Sequence, residues 1–283
     1  MRTIKRVGCV IKPHAPNIEQ VVNGLRDYLR AEDIDCCLEE AAADKLGLDN
    51  GLKREDLPSQ VDLVIVLGGD GTLLSIAHLA AANDVPVLGV NMGSLGFLTE
   101  VPVDEMYLAL SAFLDGEEGL VSPRLMLEVT NRGETFHCLN DIVINKGALA
   151  RMIQCAIWID DKKISIPRAD GYIVSTPTGS TAYSLSAGGP IIQPYIPAII
   201  IAPICPHTLS FRPMVIASDA RIKLQLLTKG EKAYLTLDGQ RGNRMEENET
   251  VEIRASELKL ELISSPKRNY FDLLQQKLGW GKQ

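Results

Sequence analysis

Apolar and polar residues follow one rhythm in the first third of the chain and another in most of the rest. Residues 7–11 form a continuous apolar run that reads as a buried strand, and Ile18, Val21, Val22, Leu25, Tyr28 and Leu29 recur at helical spacing. A polar, weakly patterned stretch over residues 39–60 reads as mobile or variable. Residues 61–67 and 87–90 are further apolar strands, with a helical pattern over 74–82 between them. Strand alternating with helix predicts an α/β N-terminal domain with an open, mostly parallel sheet. After a helical pattern over 103–114 the texture changes to short strand-like runs, at 125–130, 142–145, 153–160, 172–175, 198–201, 222–227, 234–237 and 251–253. Many short strands without long helices predict an all-β, sandwich-like C-terminal domain. In the tail, Tyr270, Leu273, Leu274 and Leu278 share one helical face, expected to return to the first domain. The expected division is 1–100, 101–263 and 264–283.

The strand over 63–67 runs into Gly68-Gly69-Asp70-Gly71-Thr72, just before a helix. A glycine turn opening a helix lets the backbone approach a ligand, and the helix start presents N–H groups to anions. This is a candidate phosphate cradle. Asp70 is the unexpected member, because a carboxylate repels phosphate oxygens. It reads as a cation holder, as a proton acceptor for a hydroxyl under attack, or as a turn-stabilising residue. A second glycine-marked loop, Asn91-Met92-Gly93-Ser94-Leu95-Gly96-Phe97-Leu98, follows the next strand, and in such sheets ligands sit beyond the carboxyl ends of strands.

A second polar cluster lies in the β-rich region: Arg168-Ala169-Asp170-Gly171, then a Ser/Thr/Gly-rich run from Ser175 to Pro190. Its hydroxyls suit ribose, phosphate or adenine edges, although the same composition builds ordinary surface loops. Asn140-Asp141 before one strand and Asp238-Gly239-Gln240 after another read either as turn formers or as ligand contacts.

Composition narrows the choice of partner. With 283 residues the chain suits two domains, and 46% hydrophobic with 23% charged residues fits a globular enzyme. A net charge of −7 argues against a nucleic-acid or anionic-membrane binder, so an anionic ligand is held locally. Six cysteines without C-x-x-C spacing suggest neither a zinc site nor a disulfide framework, and no metal ligands are assigned. No signal-peptide core or membrane-spanning run is apparent, which predicts a cytoplasmic protein.

Taken in order, the glycine-aspartate turn, Gly93-Ser94-Leu95-Gly96-Phe97-Leu98, Asn140-Asp141, Arg168-Ala169-Asp170-Gly171, the Ser/Thr/Gly stretch, Pro206-His207-Thr208-Leu209-Ser210 and Leu237-Asp238-Gly239-Gln240 resemble the bacterial NAD kinases. The first motif alone is shared with diacylglycerol and sphingosine kinases; the later ones narrow the match. The resemblance implies ATP-dependent phosphorylation of the adenosine 2′-hydroxyl of NAD, with Mg2+ or another divalent cation accompanying ATP. It also implies a crevice between the domains and a homodimer or homotetramer. Carried over, it makes Asp70 the proton acceptor and gives Gly68, Gly69, Gly71 and Thr72 to the phosphate and dinucleotide cradle. Asn140 and Asp141 would contact adenosine and ribose, and Thr181, Ala182, Tyr183, Ser184, Leu185 and Ser186 would form the adenine and ribose wall. Arg151, Arg168, Asp170 and Gln240 match further dinucleotide contacts, Asp170 reaching across a subunit interface. Ser75 departs from the family pattern, in which a basic residue commonly follows the glycine motif. Two competing classes are a lipid kinase, which needs a membrane-facing patch, and a non-catalytic NAD(P) sensor, which has no use for Asp70.

Overall fold

The computed structural model describes residues 3–12, 14–48, 51–147, 151–230 and 232–280. They fall into two compact units, one of Met1–Pro123 with Leu260–Gln283 and one of Arg124–Lys259. The chain runs β1 (Arg6–Ile11), α1 (Ile18–Ala31), β2 (Asp35–Leu38), α2 (Glu40–Lys45), β3 (Leu63–Gly68), α3 (Asp70–Ala82), β4 (Val87–Asn91), β5 (Val101–Pro102), α4 (Met106–Leu114) and β6 (Val121–Asn131). It continues through β7 (Glu134–Cys138), β8 (Asp141–Lys146), β9 (Ile153–Ile159), β10 (Lys162–Ser165), β11 (Arg168–Ala169), β12 (Gly171–Ser175) and α5 (Tyr183–Ser186). It ends with β13 (Ala198–Ile204), β14 (Met214–Ala217), β15 (Ile222–Leu226), β16 (Ala233–Leu237), β17 (Arg241–Met245), β18 (Thr250–Ile263) and α6 (Tyr270–Leu278).

In the first unit the strands lie in the order β2-β1-β3-β4, all parallel, and the last residues of β18 add to β4 through Leu262 and Ile263. The unbroken apolar run of β3 is explained by burial on both faces, as a parallel sheet requires. Ile18, Val22, Leu25 and Leu29 of α1 form the buried stripe that the spacing predicts. Met106, Ala109 and Leu110 of α4 join the same apolar cluster as β1 and β3, so the unit extends to residue 123 instead of stopping near 100. The stretch read as mobile, 39–60, is tied down where described. Ala42 and Ala43 of α2 are buried, Leu57 is fully buried, and Leu52 exchanges main-chain bonds with Leu38 and Glu40. One short alanine-rich helix leaves too few apolar positions for a periodicity to register.

The second unit is a two-layered antiparallel β structure, as the short-strand pattern predicts. One sheet runs β10-β9-β15-β18, with β11 on β9 and β6 on β18 and β7; the other runs β14-β13-β12-β8-β16-β17. Inward residues of both layers, among them Ile144, Ile157, Tyr172, Leu224 and Leu235, form one cluster. In the second sheet β12 is buried on both faces, because Ile192 and the segment around α5 cover Val143, Ile173 and Ile200. That covering segment is the Ser/Thr/Gly stretch. Strands β10 and β17 escape the hydrophobic pattern because they are edges with mostly exposed, polar sequences, KKIS and RGNRM.

The segment after β18 belongs to the first unit. Arg268 donates to both carboxylate oxygens of Glu105, at 2.7 and 2.8 Å, and to the carbonyl of Glu100 at 2.7 Å. Helix α6 opens on a capping box, in which the Asn269 side chain accepts from the N–H groups of Phe271 and Asp272 while Asp272 accepts from the Asn269 N–H. It buries Leu273 and Leu274 and closes on Gly279 at φ 70°. Among the described residues no helix is long and apolar enough to cross a membrane. Leu274→Ala is expected to lower the unfolding free energy by about 2–5 kcal/mol, and Asn269→Ala by about 1 kcal/mol, in urea titrations followed by circular dichroism. Equal effects of the two substitutions would show that burial of Leu274 holds α6 no more strongly than its cap does.

Candidate active site

The first unit supplies a carboxylate at the mouth of a glycine turn. Strand β3 ends at Gly68, Gly69 sits in extended conformation (φ −121°, ψ −177°), and α3 begins at Asp70 itself, four residues before the helical pattern in the sequence. Gly71 and Thr72 are therefore helical, and Asp70 lies in the first turn, where the helix dipole favours a negative charge. None of Gly68, Gly69 and Gly71 has positive φ, so the turn does not depend on left-handed backbone. Gly68 is needed for close approach instead, because a Cβ there would stand 2.6 Å from the Thr72 hydroxyl.

Asp70 organises the second glycine loop. Its Oδ1 accepts from the N–H groups of Leu98 (3.1 Å) and Thr99 (2.9 Å) and from the Thr99 hydroxyl (2.9 Å), while Oδ2 accepts from the Phe97 N–H (2.9 Å). Gly96 passes so close to the carboxylate that any side chain there would collide with Oδ1. Asn91 closes the loop from below, donating to the Ser94 carbonyl (2.6 Å) and the Thr99 hydroxyl (3.2 Å) and accepting from the Gly93 N–H (2.7 Å). Lys277 of α6 donates to the Leu95 carbonyl at 2.6 Å, with its ammonium 5.5 Å from the centre of the Phe97 ring. Asp70 thus fastens a loop distant in sequence, with Oδ2 much less committed than Oδ1.

Sequence reasoning missed the charge beside this turn. Ser75 is not basic, but Arg54 donates to its Oγ at 3.0 Å and is ion-paired with Glu39 at 2.6 Å. Ser75 in turn donates to the Thr72 carbonyl at 2.7 Å. The guanidinium arrives from the weakly patterned stretch, about twenty residues away in sequence, where no motif marks it.

The second unit holds Asn140 and Asp141 in a turn at the start of β8. The carboxylate of Asp238 accepts from three successive N–H groups, those of Leu139 (2.7 Å), Asn140 (2.7 Å) and Asp141 (3.0 Å), and the Asp238 N–H returns a bond to the Asp141 carbonyl (2.9 Å). From the other side, Thr176 donates its hydroxyl to the Leu139 carbonyl (2.6 Å) and its N–H to the Asn140 carbonyl (2.9 Å). The N–H of Tyr183, at the start of α5, bonds to Asp141. Burial, and then the charge of Asp238, push the Asp141 carboxyl up to about 7 against that bond. Burial also raises the Asp238 carboxyl, opposed by its three N–H donors.

Three side-chain polar atoms on these segments, Asn140 Oδ1, Thr178 Oγ1 and Ser184 Oγ, are buried without a hydrogen-bond partner among the described residues. Buried polar atoms in native proteins are paired in the great majority of cases, so three such atoms on the 140 turn and the Ser/Thr/Gly stretch make these segments a candidate ligand surface; Ser122 Oγ, elsewhere in the chain, is unpartnered as well. Thr181, Ala182 and Leu185 beside them are half-buried, while Tyr183 and Ser186 are exposed. Gln240 follows the Asp238-Gly239 turn, its N–H bonded to the Leu237 carbonyl at 2.9 Å.

The remaining predicted residues are not gathered here. Asp170 pairs with Lys146 (3.0 Å) at the far end of the β8–β12 ladder, in which Ser175 faces Asp141. Five residues at about 3.4 Å each put that end about 17 Å from Asp141 along the strand. Arg168 is exposed on β11 and Arg151 is exposed in the β8–β9 connection, on the same side as Lys146. Within one chain the candidate residues therefore fall into an Asn140–Asp141–Tyr183 group and an Arg168–Asp170 group.

Comparison with known proteins identifies the family. Residues 7–118 match the ATP-NAD kinase N-terminal domain and residues 139–265 match the ATP-NAD kinase C-terminal domain. Two solved structures share the fold at 24% identity: yeast NADH kinase complexed with NADH, with a TM-score of 0.90 over 100% of this chain and 90% of that one, and an NAD kinase from Archaeoglobus fulgidus in complex with ATP, with a TM-score of 0.78 over 98% and 100%. Among curated proteins, the NAD kinase of Geotalea daltonii is 45% identical over 99% of this chain and 100% of its own length. That of Geobacter sulfurreducens is 44% identical over the same shares. Identity at this level along the full length of both sequences settles the relationship: the chain belongs to the NAD kinase family.

Proposed function

We propose that this protein transfers the γ-phosphoryl group of ATP to the adenosine 2′-hydroxyl of NAD, giving NADP and ADP. Membership of the NAD kinase family supports the substrate class. The single observation that carries the reading in the chain itself is the trio of buried, unpartnered polar atoms, Asn140 Oδ1, Thr178 Oγ1 and Ser184 Oγ, beside Asp141. Such a surface suits the hydroxyls of a ribose and the edge of an adenine. In this reading Asn140 and Asp141 hold adenosine and ribose, and Thr181, Ala182, Tyr183, Ser184, Leu185 and Ser186 flank them. Gln240 stands beside the same turn. Arg151, Arg168 and Asp170, remote from that group along the strands, serve a dinucleotide bound by another copy of the chain, which requires a homo-oligomer. The exposed apolar residues Tyr195, Ile196, Leu209 and Val215 of the second unit support such an assembly.

As the bond from the 2′-oxygen to the γ-phosphorus forms, the bond to the ADP oxygen breaks and the hydroxyl proton must leave. Asp70 Oδ2, which carries one N–H bond where Oδ1 carries three contacts, is the acceptor. Gly68, Gly69, Gly71 and Thr72 line the turn that receives phosphate. Phosphoryl transfer depends chiefly on positioning and charge neutralisation. The Asp70 oxygens are largely taken up by the 97–99 loop, so a divalent cation enters with ATP as part of the substrate. Six free thiols suit a reducing compartment, and with it a cytoplasmic location.

Asp70→Asn is expected to lower kcat for NADP formation by at least ~100-fold while NAD affinity, titrated without ATP, stays within a few-fold. Near-normal turnover would remove the proton-acceptor assignment. Ser184→Ala is expected to raise KM for NAD about fivefold, the worth of one hydrogen bond, without lowering the melting temperature, because its hydroxyl has no protein partner to lose. A lowered melting temperature with unchanged KM would count against a ligand surface at Ser184.

A further inference from the structure

Asp238 does two things that pull its sequence position in different directions. With Gly239 and Gln240 it forms the three-residue connection between β16 and β17, in which Asp238 and Gly239 are both left-handed (φ 50° and 64°) and the Gln240 N–H bonds to the Leu237 carbonyl at 2.9 Å. Aspartate tolerates that backbone, and its presence is accounted for by the turn alone. Yet its side chain does not face solvent. It reaches back to the neighbouring strand and collects the N–H groups of Leu139, Asn140 and Asp141 at 2.7, 2.7 and 3.0 Å. Those three amides lie where the chain turns into β8, and a single carboxylate satisfies all of them.

We propose that Asp238 is a positioning residue for dinucleotide capture, fixing through these three bonds the turn that presents the Asn140 and Asp141 side chains. The inference rests on the reading of that turn as the adenosine site. The hairpin sets where the carboxylate stands, and the carboxylate sets where the two contact residues point. A second effect follows from charge. Among the described residues, Asp141 feels Asp238 on the β16–β17 turn and the Tyr183 N–H, while Cys138 at the end of β7 feels both carboxylates and, from β17, Arg241. Burial raises the Cys138 thiol well above its ordinary value, so it stays neutral; burial is the first reason Asp141 is hard to ionise, and the charge of Asp238 adds to it. The ionised form of Asp141 is the one that accepts from ribose hydroxyls. Capture of NAD therefore strengthens as pH rises through about 7, the value set for Asp141.

Two substitutions separate the turn from the clamp. Asp238→Gly keeps the left-handed backbone and removes the carboxylate; Asp238→Asn keeps the backbone and one acceptor oxygen but removes the charge. Asp238→Gly is expected to raise KM for NAD at least ~10-fold, with KM for ATP and kcat within ~3-fold, and to speed exchange of the amides of Leu139, Asn140 and Asp141 in the ligand-free protein. Asp238→Asn is expected to recover most of that KM and to move the acid limb of kcat/KM for NAD from near pH 7 to lower pH. An Asp238→Gly protein with parental KM and parental amide exchange would overturn the proposal. If that variant does not fold, parental exchange of those three amides in Asp238→Asn, which keeps one acceptor oxygen of the two, overturns it. If the parent forms no NADP from ATP and NAD, the functional reading fails, and amide exchange alone then decides whether Asp238 holds the turn.

Discussion

A carboxylate that receives three consecutive main-chain N–H groups is the interaction on which both functional regions depend. Asp70 binds the amides of Phe97, Leu98 and Thr99, and Asp238 binds those of Leu139, Asn140 and Asp141. Irregular backbone beside a buried sheet carries N–H groups that neither ladder nor water can take up, and each one left unpaired costs about 1–3 kcal/mol. An anion answers three such groups at once with charge-assisted bonds, against the cost of its own desolvation. At Asp238 desolvation is the larger effect on ionisation, as the upward direction of its shift shows. The compensation is geometric: three bonds to one rigid group leave the loop a single conformation.

The same arrangement explains how one residue type serves different ends at the two sites. Asp70 stands in the first turn of a helix, half-buried, with one oxygen lightly used. Asp238 stands on a hairpin, more deeply enclosed, with its oxygens committed to the turn across from it. Asp141, the acid beside it, feels the accumulated negative charge. The protein thus holds two of its acidic groups in place by tying them to backbone dipoles.

Architecture was the part most legible in the sequence, because it follows from periodicity. The continuous apolar run of β3 and the alternation of β15 and β16 announce a doubly covered parallel sheet and a half-covered antiparallel one. What periodicity misses is short or polar: α2, β10 and β17 carry too little apolar signal. The glycine-aspartate turn was visible as a cradle, but the reason for its glycines was not. Their freedom to adopt left-handed backbone goes unused, while Gly68 and Gly96 make room for Thr72 and Asp70. The pairing of Arg54 with Ser75 and the reach of Asp238 to Asn140 are contacts between distant segments, and composition along one segment carries no trace of them. The strand register, not any motif, is what separates Asp170 from Asp141.

The first unit is assembled from both ends of the chain. A ribosome therefore releases β4 with one edge still lacking the Leu262–Ile263 segment, and the Leu95 loop still lacking Lys277, until the whole second unit has been made. During that interval the nascent sheet has an open border able to recruit foreign strands, and the 91–98 loop lacks its bond to α6. A chain that stops within the second unit therefore carries a first unit with its closing pieces missing.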